Sequence, residues 1–128
     1  SRQVVCVHTP RLQACEQAGS PVPFYCYHPG LSIAGNCRIC LVEIEKTPKL
    51  QIACYAQATD GMVVHTTSDK TLDGRKAVLE FLLANHPLDC PVCDQAGECW
   101  LQDYYREEER ISSPDSYSRS SMVGKRTP

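Results

Sequence analysis

Tyr25-Cys26-Tyr27-His28-Pro29-Gly30-Leu31-Ser32-Ile33-Ala34-Gly35-Asn36-Cys37-Arg38-Ile39-Cys40-Leu41-Val42-Glu43-Ile44-Glu45 is the stretch on which the fold turns. From Tyr25 to Cys40 it reads as a loop, with Gly30 and Gly35 inside it. From Leu41 to Glu45 it alternates and reads as a strand. Lys46-Thr47-Pro48-Lys49 then forms a turn, Leu50 to Ala53 a return strand, and Cys54 follows directly. The loop and the returning strand together carry four cysteines, spaced C-x10-C-x2-C-x13-C.

That spacing has a chemical meaning. Thiolates are soft ligands suited to iron–sulfur clusters, zinc or copper(I). The close pair Cys37 and Cys40 can bring two sulfurs to one metal centre, while Cys26 and Cys54 arrive from separate segments. A distant cysteine, a close pair and a far cysteine is the general form of the [2Fe–2S] ferredoxins. The plant-type first gap is four residues; here it is ten, so the plant-type pattern does not apply. Gly30 and Gly35 allow backbone approach and positive φ, and loop N–H groups aimed at cluster sulfides would offset their charge. Zinc sites more often join two close pairs roughly 15–20 residues apart. A [2Fe–2S] cluster is therefore expected on Cys26, Cys37, Cys40 and Cys54, with zinc or plain structural thiols as the alternatives.

Outward from this stretch, Val4-Val5-Cys6-Val7 reads as a strand and Leu12 to Ala18 as a short helix that Gly19 stops. Met62-Val63-Val64-His65 reads as a further strand after Asp60-Gly61. Residues 1–68 thus form one domain. Residues 69–110 form a second, with a helix over Lys76 to Asn85 that places Val78, Phe81 and Leu82 on one stripe. Pro87 ends it and biases His86 away from helical geometry. A compact cysteine loop follows, then a short helix over Trp100 to Tyr105. Residues 111–128, rich in Ser, Pro and Arg, read as a tail or linker.

The second domain holds a second constellation: His86, Cys90, Cys93 and Cys99, spaced H-x3-C-x2-C-x5-C. Without His86 the set is one ligand short; with it, four donors are present. Three cysteines plus one histidine is also a structural zinc set, so spacing alone leaves cluster and zinc both open. Neutral imidazole in place of thiolate removes one negative charge, and in Rieske centres histidine ligation raises the potential.

Composition narrows the function classes. The 128 residues include nine cysteines, about 7% and several times ordinary usage. An odd count without a secretion signal favours metal or redox chemistry over a disulfide framework. A net charge of −2 gives no basic surface for nucleic acid. No apolar run approaches the roughly 18–20 residues that span a bilayer, so no direct membrane span is expected.

The quoted stretch, extended to Lys46, closely resembles the N-terminal region of the large iron–sulfur subunit of respiratory complex I. In bacteria this is the G subunit of NADH-quinone oxidoreductase, in mitochondria the 75 kDa subunit. Glu80-Phe81-Leu82-Leu83-Ala84-Asn85-His86-Pro87-Leu88-Asp89-Cys90-Pro91-Val92-Cys93-Asp94-Gln95-Ala96-Gly97-Glu98-Cys99-Trp100-Leu101-Gln102-Asp103 resembles the same subunit more specifically. The resemblance covers roughly residues 12–105. It implies an α+β architecture: a β-grasp [2Fe–2S] ferredoxin-like domain, then a small helical and loop [4Fe–4S] domain with one His and three Cys ligands. It assigns Cys26, Cys37, Cys40 and Cys54 to the [2Fe–2S] cluster and His86, Cys90, Cys93 and Cys99 to the [4Fe–4S] cluster. Cys6, Cys15, His8, His28 and His65 receive no ligand role. Cys15 is expected in the helix–sheet core, and Cys6, on its strand, is expected to pack in the same way.

The implied function is electron relay within NADH:quinone oxidoreductase, from a flavin-bearing NADH-oxidising partner subunit toward quinone, with no catalytic residue on this chain. The implied partners are other peripheral-arm subunits of complex I. The implied place is the cytoplasmic side of the bacterial inner membrane or the mitochondrial matrix side. The family normally opens with a full β-hairpin and continues for several hundred residues, so a fragment lacking its first, central strand is expected. Similar modules open NAD-linked or iron-only hydrogenases and some formate dehydrogenases, which is the second reading. Asn85-His86-Pro87-Leu88-Asp89-Cys90-Pro91 looks more like complex I. A zinc-stabilised interaction module without a redox role is the third.

Overall fold

A computed structural model describes the backbone of residues 11–112 and the side chains of residues 12–108. The strand expected at Val4 to Val7, with Cys6, and residues 113–128 of the expected tail lie outside the described residues. The chain divides into two compact units, Ser1–Val78 and Leu79–Pro128.

In the first unit, helix α1 spans Arg11–Gln17. Leu12 and Cys15, three residues apart, point into the core together with Ala14. The helix ends as a Schellman motif: the Ser20 N–H donates to the Cys15 carbonyl at 2.9 Å and the Gly19 N–H to Glu16 at 3.0 Å. Gly19 has φ 71°, the left-handed geometry this stop requires. Cys15 sits in the core, as expected of it.

Strand β1 spans Leu41–Ile44, β2 Gln51–Ile52 and β3 Val64–His65. Their order is β2-β1-β3, and both pairings are antiparallel. Leu41 opposes Ile52 and Val42 opposes Gln51; Glu43 opposes His65 and Ile44 opposes Val64. Val42 and Ile44 face inward, two residues apart, as a half-buried strand demands. The turn after β1 closes through the Thr47 N–H on the Ile44 carbonyl at 3.1 Å. The core gathers Leu12, Cys15, Val22, Val42, Ile44, Ala53 and Val64 around Cys40 and Cys54. Phe24 and Tyr27 pack against it and meet each other edge to face, ring centroids 6.0 Å apart.

Helix α2 spans Asp69–Ala84, starting well before the expected Lys76. Ser68 supplies the cap: its Oγ accepts from the Thr71 N–H at 3.3 Å, and its carbonyl from Leu72 at 2.9 Å. Gly74 does not break the helix, because its lack of a side chain lets α2 lie close on the sheet. A Cβ there would meet Leu50 Cδ1 at 2.6 Å and Leu41 Cδ1 at 3.1 Å. The earlier start also moves the buried face. Thr71, Arg75 and Leu79, four apart, are buried, with Leu72 beside them. The expected stripe is instead largely open: Phe81 is 83% exposed and Leu82 is exposed as well. The two compact units divide inside α2, and the first turns of α2 serve the sheet.

In the second unit a 3₁₀ turn spans Cys90–Val92 and helix α3 spans Trp100–Ser112. Helix α3 runs beyond the expected Tyr105, because Arg106-Glu107-Glu108-Glu109-Arg110 are good helix formers and continue it.

Candidate metal centres

Cys40 is the residue immediately before β1, and Cys54 lies two residues beyond β2. The Ala53 N–H donates to the Cys40 carbonyl at 2.8 Å, extending the β1–β2 ladder by one step. The Leu12 N–H donates to the Ala53 carbonyl at 3.1 Å, tying α1 to the residue before Cys54. Both thiols are buried, Cys40 at 1% and Cys54 at 0% exposure. Sheet register therefore sets their separation. Between Cys37 and Cys40 lies Ile39, fully buried, and Arg38, at φ 60°. A left-handed residue beside a buried one turns this short loop sharply between Cys37 and Cys40.

Cys26 comes from the far end of the loop. Burial is the largest single influence on it and opposes ionisation. The N–H groups of Cys37, Asn36 and Gly35 together with the Cys37 thiol outweigh burial and hold its pKa below the ordinary thiol value. Gly35, at φ 64°, lets its segment turn toward the sulfur; a Cβ there would stand 3.1 Å from Ile52 Cδ1. Cys54 behaves oppositely. Burial first, then the charge and hydrogen bond of Cys40, then the charges of Cys26 and Cys37, push it up to about 12. Cys54 thus lies within electrostatic reach of the other three thiols. Four crowded thiols, one buried and resisting ionisation, form a donor set that a cationic iron core relieves. The chemistry of the residues fits a thiolate-ligated cluster.

The second set is held differently. The His86 N–H donates to the Leu83 carbonyl at 3.2 Å, closing the end of α2. Cys90 opens the 3₁₀ turn and Cys93 ends it, its N–H on the Cys90 carbonyl at 3.3 Å. Two more turns follow, Ala96 on Cys93 at 3.1 Å and Glu98 on Gln95 at 3.1 Å. Gly97 has φ 93°. Cys99 then starts α3 by accepting the Asp103 N–H at 3.1 Å. These successive reversals keep all four donors on one short path. Cys93 and His86 are exposed, Cys90 and Cys99 half-buried. Among the described residues no three His, Cys, Asp or Glu side chains stand close enough to share a single ion. No helix among the described residues is long and apolar enough to cross a membrane.

Two contributors to the loop escaped the sequence reading: Ile39, fully buried, and Arg38, at positive φ.

Residues 8–69 match a family model described as a 2Fe-2S iron-sulfur cluster binding domain. Residues 75–109 match one described as the NADH-ubiquinone oxidoreductase-G iron-sulfur binding region. The class is then an iron–sulfur protein that carries one [2Fe–2S] and one [4Fe–4S] cluster, its first part a 2Fe–2S ferredoxin-like domain. The chain is 62% identical over 92 residues to the mitochondrial NADH-ubiquinone oxidoreductase 78 kDa subunit of Neurospora crassa, covering 72% of this chain and 12% of that protein. It is 58% identical over 91 residues to the G subunit of NADH-quinone oxidoreductase from Rickettsia felis, covering 71% of this chain and 14% of that protein. It belongs to this family, the large iron–sulfur subunits of NADH-quinone oxidoreductase, and spans 12% and 14% of the length of these two relatives. A crystal structure of an NAD+-reducing [NiFe]-hydrogenase in the H2-reduced state superimposes with a TM-score of 0.72 at 31% identity, over 83% of this chain and 45% of that one.

Proposed function

We propose that this chain is the electron-entry relay module of an NADH:quinone oxidoreductase. Cys26, Cys37, Cys40 and Cys54 hold the [2Fe–2S] cluster, and His86, Cys90, Cys93 and Cys99 the [4Fe–4S] cluster. When bound, the clusters take up and release single electrons. The residues bind, orient and insulate. Buried Cys40 and Cys54, seated by the β1–β2 register, keep water from one side of the first site. The N–H groups of residues 35–37 favour the Cys26 thiolate. A β-grasp description of the first domain, over residues 1–68, accords with the small antiparallel sheet and its packed helices. Residues 69–110 then serve the second site. The electron donor is a flavin-bearing NADH-oxidising partner subunit, with other peripheral subunits around it, on the cytoplasmic or mitochondrial matrix side.

The observation that carries this is the match of residues 8–69 and 75–109 to the two iron–sulfur family models within a chain 58% and 62% identical to its two relatives. The test is anaerobic purification of the full-length protein, iron and acid-labile sulfide analysis, and EPR after dithionite reduction. Two separable cluster signals are expected. Stoichiometric zinc without iron sinks the proposal. His86→Ala should disturb the second signal alone; loss of both counts against separate sites. The hydrogenase neighbour supports a second reading, the equivalent module of an NAD-linked hydrogenase. Copurifying subunits distinguish the two.

A further inference from the structure

We propose that Gln13 and Tyr27 are positioning residues of the [2Fe–2S] site, through which helix α1 holds Cys26 in place relative to Cys54. This deepens the ligand assignment above and rests on it.

The cysteines of this site are not seated alike. Sheet register sets Cys40 and Cys54, with the Cys40 carbonyl on the Ala53 N–H at 2.8 Å. Cys26 lies within residues 21–40, which form neither helix nor strand, so no strand ladder fixes it. The residue that follows it is anchored instead. Tyr27 packs against the core and meets Phe24 edge to face. Its hydroxyl accepts from Gln13 Nε2 at 2.7 Å, across 14 positions of sequence. An aromatic side chain has few torsions to lose, so packing on the ring and a hydrogen bond at its tip leave it little freedom. The backbone that carries this ring also carries Cys26.

Helix α1 is tied at a second point. The Leu12 N–H lies in the first turn, where N–H groups have no partner within the helix. It donates to the Ala53 carbonyl at 3.1 Å, and Ala53 is bonded to Cys54. Consecutive residues of α1 thus reach the neighbours of Cys54 and Cys26, one through its backbone and one through its side chain. Buried Leu12, Ala14 and Cys15 keep the helix itself in register with the core. The Gln13–Tyr27 bond is part-buried, which strengthens it against competition from water. Without it α1 still holds the Cys54 segment, but its side-chain tie to the Cys26 segment is gone.

The test uses the full-length protein with its clusters. The readouts are the EPR line shape after reduction, the decay of each EPR signal under an iron chelator, and thermal melting. The variants are Tyr27→Phe, Gln13→Leu, the two combined, and Leu72→Ala. Tyr27→Phe keeps the ring and removes the hydroxyl; Gln13→Leu keeps bulk and removes the amide. Each should alter the [2Fe–2S] line shape and leave the other signal unchanged. Each should also speed decay of the [2Fe–2S] signal roughly 2–10-fold, the range that one net hydrogen bond commands. The combined variant should do no more than either single one, since all three remove the same bond. Leu72→Ala empties a buried position on α2; it should lower the melting temperature at the parent line shape and decay rate. Loss of the [2Fe–2S] signal in both single variants, with Leu72→Ala retaining it, also supports the role. A parent line shape and decay rate in either single variant overturns it. So do additive effects in the combined variant, or the same change in Leu72→Ala. If the unaltered protein gives no [2Fe–2S] signal, the ligand assignment itself fails; a signal that the single variants leave untouched removes only the role of Gln13 and Tyr27.

Discussion

The two candidate centres use similar donors in opposite surroundings. Cys40 and Cys54 belong to a hydrophobic core, and strand pairing and helix α1 seat them. Cys93 and His86 are exposed, and the loop from 86 to 99 is shaped by its own short-range turns. One candidate site is seated by the fold; the other lies on a loop shaped by its own short-range turns. The difference follows from sequence separation. Candidate ligands spread over 29 positions, Cys26 to Cys54, need long-range structure to meet. Ligands within 14 positions, His86 to Cys99, need only a chain that keeps reversing.

The largest effect expected from this contrast is on metal removal. After iron chelation, hydrogen exchange should show amides of residues 86–99 losing protection, while the Leu12 and Ala53 amides keep theirs. Equal loss in both regions breaks the contrast. Next comes Ile39→Ala, which empties a fully buried position between two ligands. It should cost about 2–5 kcal/mol in denaturant unfolding, whereas Leu88→Ala, at an exposed position, should stay within about 0.5 kcal/mol.

The third test uses pH. In the iron-free protein Cys54 keeps its proton up to about pH 12, against an ordinary value of 9.0. Between these the unfolded chain has lost a proton that the folded chain retains, so Cys54 makes stability fall as pH rises through that window and contributes no slope below it. With iron bound the thiolate is the native form, and the dependence reverses: stability is lost as pH falls and protons compete for the sulfur. Denaturant midpoints of both forms from pH 8 to pH 12 check the sign. The smallest effect belongs to Lys70→Ala. Its Nζ donates to the Pro48 carbonyl at 2.6 Å and lies 3.9 Å from Glu43. This exposed clasp on the hairpin should contribute about 0.2–1 kcal/mol, seen as a small change in melting temperature.

Legibility in the sequence followed the same division. Cysteine spacing singled out eight candidate donors, because ligand chemistry leaves a local mark. Gly19 announced the end of α1, and the pattern of residues 41–44 announced β1, because capping and period-two burial are local as well. What stayed hidden was tertiary. Gly74 marks a close approach of α2 to Leu41 and Leu50 that nothing next to it in the sequence announces. Phe81 reads as core and is exposed, because the true inward face begins at the Ser68 cap. The backbone N–H groups that act on Cys26 carry no residue-specific signal at all.

Arg38 carries a consequence for how this position can vary. It holds φ 60°, a conformation that costs a residue with a side chain roughly 1–2 kcal/mol. In a saturation library scored for cluster retention, glycine and asparagine should therefore be enriched at position 38. Valine, isoleucine and proline should vanish, the first two because branching at Cβ collides with the left-handed backbone and the third because its ring forbids positive φ. Mutational tolerance there is governed by backbone shape, so the arginine can be exchanged more freely than its place between two ligands suggests.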